Sequence, residues 1–281
     1  MSDVYEPKVK YVPSEPKPRQ SGFLRGCLLL GCAAMFLCCF SAFGLGAGVA
    51  ALGATVDANE QKAVKNERLV ISSDEVNLVV ENYVGKVKIS GSRSAEDIQV
   101  TLELKATGMT EDRARTRLDS IRYEVERDGD TYRVWAREDE DTGFWDKIGN
   151  SSVDMTITVP EELNITVTSN VGEIDINNVI IRDKLDVTTE VGGVKFSGQI
   201  GPEGDHSITT NVGAVKVRVT RDSSFRLDAK SNVGDVNADL DLNNEQNSQE
   251  VVSRQVSGDY GNDPEATLTI ISDVGEIEIR D

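Results

Sequence analysis

Few side chains in this sequence have the type and spacing that chemistry requires. His206 is the only histidine, which excludes a multi-histidine metal site and leaves one imidazole for acid–base work. Its place in the sequence reads as an outward, solvated strand position. Asp235, Asn237, Asp239 and Asp241 alternate with Val236, Ala238, Leu240 and Leu242. On a strand they would line one face with oxygen-bearing side chains, so they are the candidate calcium ligands. A straight strand holds alternate residues ~6.5–7 Å apart, too far to wrap one ion without a bend, so the expectation is no metal site. Lys195, Lys216 and Arg218, with Glu173 and Asp175 one repeat earlier, fit the charged cluster of a polysaccharide-processing β-helix enzyme. Cross-rung charge pairing in a sheet accounts for the same residues. There is no Gly-x-Ser-x-Gly, phosphate loop or dinucleotide glycine pattern beyond the first apolar stretch. The reading is therefore of a non-enzymatic chain with no catalytic residue and no cofactor.

The elements that hold these residues are set by a repeat. Val-Gly occurs six times, with its glycines at Gly85, Gly172, Gly192, Gly213, Gly234 and Gly275. Apolar or small residues stand two and four positions after each glycine and four before each valine, the period-two pattern of a strand with one buried face. A polar step such as Ser169-Asn170 or Thr210-Asn211 precedes each Val-Gly, and the glycine permits a bend. From Val171 to Val233 successive valines lie 20, 21 and 21 residues apart. A fixed period of this length marks stacked coils rather than independent hairpins.

The expected fold is all-β: a β-solenoid of 20–21-residue coils over 161–281, preceded by a β-rich part at 69–160. One helix is predicted in that part, at 110–121, capped by Thr110 with Glu111 and Asp112 in its first turn. The interval from Val233 to Val274 is 41 residues, so 243–263 is either a degenerate coil or, preferably, a loop. The last copy ends the chain, and Glu276, Glu278, Arg280 and Asp281 read as charged protection of an open final coil. In 138–151, Phe144 and Trp145 stand on an exposed loop.

Gly26 to Ala54 contains no charged residue over 29 positions, whereas about 20 suffice for a membrane-spanning helix. It is read as a transmembrane helix (26–54) between a Pro-rich cytoplasmic tail (1–25) and a linker (55–68). A cleaved signal peptide is the alternative, but its apolar core is usually only ~7–15 residues. Lys8, Lys10, Lys17, Arg19 and Arg25 place the N-terminus inside, with the C-terminal body outside. Ala42, Gly46, Ala50 and Ala54 recur every four residues, a row along which two such helices could associate into a homo-oligomer. All four cysteines lie in the apolar run, so the body has neither disulfides nor thiolate metal sites.

The chain has 281 residues and a formal charge of −18. Residues 1–56 hold five Lys/Arg against three Asp/Glu, so the remainder carries −20. Such a body repels phosphate backbones, which excludes nucleic acid as a partner.

The frame apolar-x-apolar-x-x-x-Val-Gly-x-Ile/Val-x-apolar, behind a sheet with a capped helix and Val159-Pro160, resembles the bacterial putative-adhesin family of membrane-anchored β-solenoid envelope proteins, a domain of unknown function. The likeness covers roughly 67–281. It implies an extracytoplasmic, non-catalytic role at the cell surface and offers no catalytic residues to carry over. The functional expectation is a membrane-anchored binding or structural module that contacts a cell-envelope polymer or protein partner. An accessory or sensor of an envelope-stress response is the alternative, and the β-helix enzyme a more remote one.

Overall fold

The computed structural model describes residues 59–71, 75–138, 150–249, 252–262 and 264–281. The segments expected as a cytoplasmic tail (1–25) and a transmembrane helix (26–54), and Phe144 and Trp145, fall outside them. Among the described residues no helix is long and apolar enough to cross a membrane.

Among the described residues the period-two pattern produces eighteen strands. In chain order they are β1 (Asn59–Val70), β2 (Asn77–Val84), β3 (Val87–Ser92), β4 (Asp97–Gly108), β5 (Ile121–Asp128), β6 (Thr131–Glu138), β7 (Ser151–Pro160), β8 (Glu162–Val171) and β9 (Ile174–Val191). There follow β10 (Val194–Ile200), β11 (Asp205–Val212), β12 (Val215–Val219), β13 (Phe225–Val233), β14 (Val236–Asp239), β15 (Leu242–Gln249), β16 (Arg254–Tyr260), β17 (Thr267–Val274) and β18 (Ile277–Arg280). The helix α1 (Glu111–Ser120) is capped as expected, with the Thr110 side chain accepting from the Arg113 amide. The segment expected as a linker is instead a strand in its described part: β1 pairs antiparallel with β4 from Asn59 to Val70.

Each coil is strand, Val-Gly bend, strand, and its two strands enter two different ladders. The first ladder runs β5-β6-β2-β8-β9-β11-β17-β13-β16-β15, and the second β1-β4-β7-β3-β9-β10-β12-β18-β14. The long β9 turns the corner, giving Ile174 to Ile181 to the second ladder and Leu185 to Val191 to the first. Parallel pairing stacks like on like. Val134, Val80, Val167, Val187, Ile208, Ile270 and Ala229 form one inward column. Ile157, Ile89, Ile176, Phe196, Val217, Ile279 and Ala238 form another. All of these except Ala238 are buried. No coil could bury its own apolar face alone, so the stack is the unit of stability.

Chain order is not stacking order. β17 lies between β11 and β13, and β18 between β12 and β14, so the last coil is internal. The expectation of a charged, protected final coil is therefore wrong: Glu278 points along a filled ladder and accepts from Lys216 Nζ at 3.0 Å. At the other end, β2 sits between β6 and β8, and β3 between β7 and β9. Residues 69–160 thus belong to the same stack as 161–281. A physical reason for burying the last coil lies in its side chains. It supplies Leu268, Ile270, Ile277 and Ile279, all fully buried, whereas the coil at the end of the stack carries Ala229 and Ala238 at two of the matching positions.

The segment 243–263 is neither loop nor coil over its described residues. β15 and β16 form an antiparallel hairpin, and β16 pairs antiparallel with β13. Val252 stands where the next coil's valine would be, accepting the Gly234 amide at 3.4 Å.

Candidate interaction surfaces

The Val-Gly bends stack into one edge of the solenoid. Gly85, Gly172, Gly192, Gly234 and Gly275 have φ between +129° and +158°, a region side chains disfavour. The closer constraint is the neighbouring coil. A Cβ on Gly172 would lie 1.9 Å from the Gly85 carbonyl oxygen, one on Gly192 1.8 Å from that of Gly172, and one on Gly213 1.9 Å from that of Gly192. Gly275 faces Gly213 and Gly234 faces Gly275 in the same way.

The polar step before each bend points inward, which the sequence reading missed. Ser169, Thr189, Thr210, Ser231 and Ser272 are all buried. Thr210 Oγ1 donates to the Gly192 carbonyl at 3.1 Å, Ser272 Oγ to Gly213 at 3.1 Å and Ser231 Oγ to Gly275 at 2.8 Å. Asn82 Nδ2 takes the same role toward the Val153 carbonyl of the neighbouring rung at 2.9 Å. These bonds tie the bends at Gly192, Gly213 and Gly275 to the neighbouring coil, whereas the buried Ser169 and Thr189 hydroxyls make no such bond.

The recurring valine itself faces solvent. Val171, Val191, Val212, Val233 and Val274 are 44–49% exposed and form an apolar stripe down the bend edge. Replacing Val191 with serine should therefore change stability by less than ~0.5 kcal/mol. The same change at Val187, fully buried, should cost about 3 kcal/mol through lost burial and a buried hydroxyl. Urea unfolding of the two variants checks the contrast.

His206 corrects a second expectation. It shares the inward parity of Ile208 and pairs across to Leu268 in the core, with 1% of its surface exposed. Its Nδ1 accepts from the Leu185 amide and its Nε2 donates to the Glu203 carbonyl, both at 3.2 Å. Burial holds its pKa below the ordinary histidine value, against the raising effects of the Glu203 carbonyl, Asp205 and Asp183. Below pH ~6.5 the unfolded chain thus binds a proton that the folded chain refuses, so stability should fall as pH drops from that value toward the folded pKa. His206→Gln should flatten this limb. The depressed carboxylates, Glu173 and Glu278 among them, act only below pH ~4.5 and leave this window clear. Denaturant midpoints between pH 7 and 5 measure the slope.

Of the charges proposed for an enzyme, Lys195, Lys216 and Glu173 are tied up in cross-rung pairs. Lys195 Nζ bonds Glu173, and Lys86 Nζ reaches the same carboxylate at 3.3 Å. The Lys195 hydrogen bond, helped by Lys86, holds Glu173 below the usual carboxylate range. Lys216 does the same to Glu278. Arg218 stands opposite Arg280 on the adjacent rung, and Asp175 opposite Lys195. The candidate calcium residues diverge. Asp235 pairs with Arg254 at 3.5 Å, and Asn237 Nδ2 donates to Glu276 Oε1 at 3.1 Å. Among the described residues no group of three or more His, Cys, Asp or Glu is placed to hold a metal.

One concave feature stands apart. At the end of the stack, between β14 and the β15–β16 hairpin, lies an open recess of about 290 Å³. Its floor is Val236, Ala238 and Val256, and its rim Asp239, Glu245 and Asn247.

These elements define an all-β, solenoid-like fold of parallel-stacked coils, closed by antiparallel strands at both ends of the first ladder and at the β1 end of the second. Residues 147–280 match the family model described as Toastrack DUF4097. A crystal structure of a putative cell adhesion protein from Clostridium sporogenes ATCC 15579 is 17% identical, with a TM-score of 0.55 over 78% of this chain and 99% of that one. At this identity the likeness speaks for the fold. A putative adhesin from Bacteroides fragilis NCTC 9343, 14% identical over 78% of this chain and 97% of its own, aligns with a TM-score of only 0.27. No curated protein matches in sequence. The resemblance drawn from the Val-Gly frame thus agrees with the family whose model matches.

Proposed function

We propose that this chain is a non-enzymatic surface module, anchored in the cell membrane by Gly26 to Ala54 and presenting its solenoid outside the cell to a cell-envelope polymer or protein. The observation that carries the reading is the state of the outward side chains. They are hydroxyls, amides, exposed valines and charges of which Lys86, Lys195, Lys216, Glu173 and Glu278 are paired across rungs, a surface suited to contact rather than to bond chemistry. The neighbouring C. sporogenes structure, described as a putative cell adhesion protein, supports the same class.

The anchor rests on the charge-free run of 29 residues and its basic N-terminal flank. Only residues 55–58 separate that run from β1.

Protease treatment of intact cells carrying C-terminally tagged full-length protein tests this reading. Loss of the tag with the remnant retained in membranes supports it. Protection of the tag until the cells are permeabilised would reverse the orientation and remove the surface role.

A further inference from the structure

The second ladder stops at β14, and the way it stops identifies a partner. In five coils the amide two residues beyond the bend glycine donates to the next coil, at the carbonyl just after its glycine. These bonds are Val87 to Glu173, Ile174 to Gly193, Val194 to Ala214, Val215 to Glu276 and Ile277 to Asp235, all at 2.9–3.0 Å. Val236 is the equivalent residue of the end coil, and among the described residues β14 pairs only with β18. Because amides alternate sides along a strand, Val236 and Ala238 turn their N–H and C=O groups away from β18. On the first ladder β16 covers β13 at this level. Nothing described covers β14.

The recess adjoins this edge. Ala238 stands in a column that elsewhere carries Phe196, Val217 and Ile279, and its short side chain leaves a hollow over Val236 and Val256. The surroundings are acidic: residues 234–249 include Asp235, Asp239, Asp241 and Glu245 and no Lys or Arg. Asp239 makes no ion pair among the described residues. The outer strands at the opposite end differ, since β1 and β5 carry charges of both signs along their length, the usual defence of an edge.

We propose that β14 receives an extended segment of a partner protein as one further parallel rung, by strand addition. The segment places an apolar side chain in the hollow over Ala238 and a Lys or Arg beside Asp239. A second copy of this chain fits less well, because it would bring another −20 body and an equally acidic edge. The inference rests on the binding-module reading but not on the orientation of the protein in the membrane.

The test uses detergent-solubilised full-length protein and a fluorescein-labelled peptide of sequence AVKVRV, which is the chain's own cationic rung, residues 214–219, without the Val-Gly step because Val252 holds that position. In the β14 register its Arg falls opposite Asp239. Anisotropy should show saturable binding in the micromolar range. Ala238→Pro should weaken it about tenfold or more, because proline removes an amide that β18 does not use, and the melting temperature should stay unchanged. Asp239→Lys should weaken binding as well, and a peptide with Glu in place of its Lys and Arg should not bind.

Absence of saturation up to about 1 mM, or equal binding by Ala238→Pro, overturns the proposal. So does sedimentation showing a wild-type dimer that Ala238→Pro converts to monomer, since the edge would then be taken by a second copy. Peptide failure with an exposed tag removes this inference alone, whereas peptide binding with a protected tag removes the surface reading alone.

Discussion

Gly192→Ala should be among the most damaging single substitutions in this protein, with an expected loss of about 4 kcal/mol or more. Two effects add. The residue has φ +150°, where alanine is strained. Its Cβ would also meet the Gly172 carbonyl oxygen at 1.8 Å and carbon at 2.6 Å, and backbone atoms cannot swing aside as a side chain can. Relief requires the coils to part, which would also disturb the bond from Thr210 Oγ1 to the Gly192 carbonyl. Losses of this size are exceptional for one methyl group, and here the cause is the neighbouring rung.

Two controls separate the causes. Gly129→Ala shares the positive φ, at +61°, but meets nothing within 4 Å, so it should cost only about 1 kcal/mol. Gly193→Ala lies one residue further on, and its Cβ approaches only the Ala214 carbonyl oxygen, at 3.2 Å. It should be nearly neutral. Denaturant unfolding of the three variants, with circular dichroism as the readout, checks the order. Equal effects at Gly192 and Gly129 would show that backbone strain, not rung contact, sets the requirement for glycine.

Ending the chain at Glu265 should do more than remove a last repeat. In a linear solenoid, loss of the terminal copy forfeits one interface. Here the removed residues form the rung between β11 and β13 and between β12 and β14. Four fully buried side chains go with them, Leu268, Ile270, Ile277 and Ile279. At ~1.5–3 kcal/mol each, their gross contribution is about 6–12 kcal/mol, comparable with the whole stability of an ordinary domain. The expected result is that residues 225–262 lose their order while the coils before β11 keep theirs. Amide hydrogen exchange reads this directly: amides of β13 and β16 should become fast-exchanging, and those of β8 should remain protected. Protection retained across β13 would mean that it re-pairs on β11 and that the inserted rung is dispensable.

Much of this architecture was legible in the residues. The period of two, the six Val-Gly steps and the 20–21-residue spacing led to stacked coils because a strand's side chains must alternate and a bend needs a residue that tolerates it. Thr110 and the acidic first turn marked α1 for equally local reasons. The pairing of Lys195 with Glu173 and of Lys216 with Glu278 followed the expectation of cross-rung neutralisation, although Glu278 comes from a coil 62 residues further along the chain. His206 could have been placed correctly, since it shares parity with Ile208, whose inward position was already read. Its polar character outweighed the count.

What the sequence determined was therefore everything set by nearest neighbours: strand alternation, bend position, coil length, helix cap and the apolar run at 26–54. The tertiary structure alone decided which coil stacks on which. Any copy of the repeat offers the same hydrogen-bond edge, so a local pattern cannot rank the pairings. The ranking comes from fitting long-range columns together, and it puts Leu268, Ile270, Ile277 and Ile279 inside and the alanine-bearing coil at the tip. The tertiary structure also shows the recurring valines facing outward and the polar-step serines and threonines inward. It also left β14, four residues long, as the open end of the second ladder.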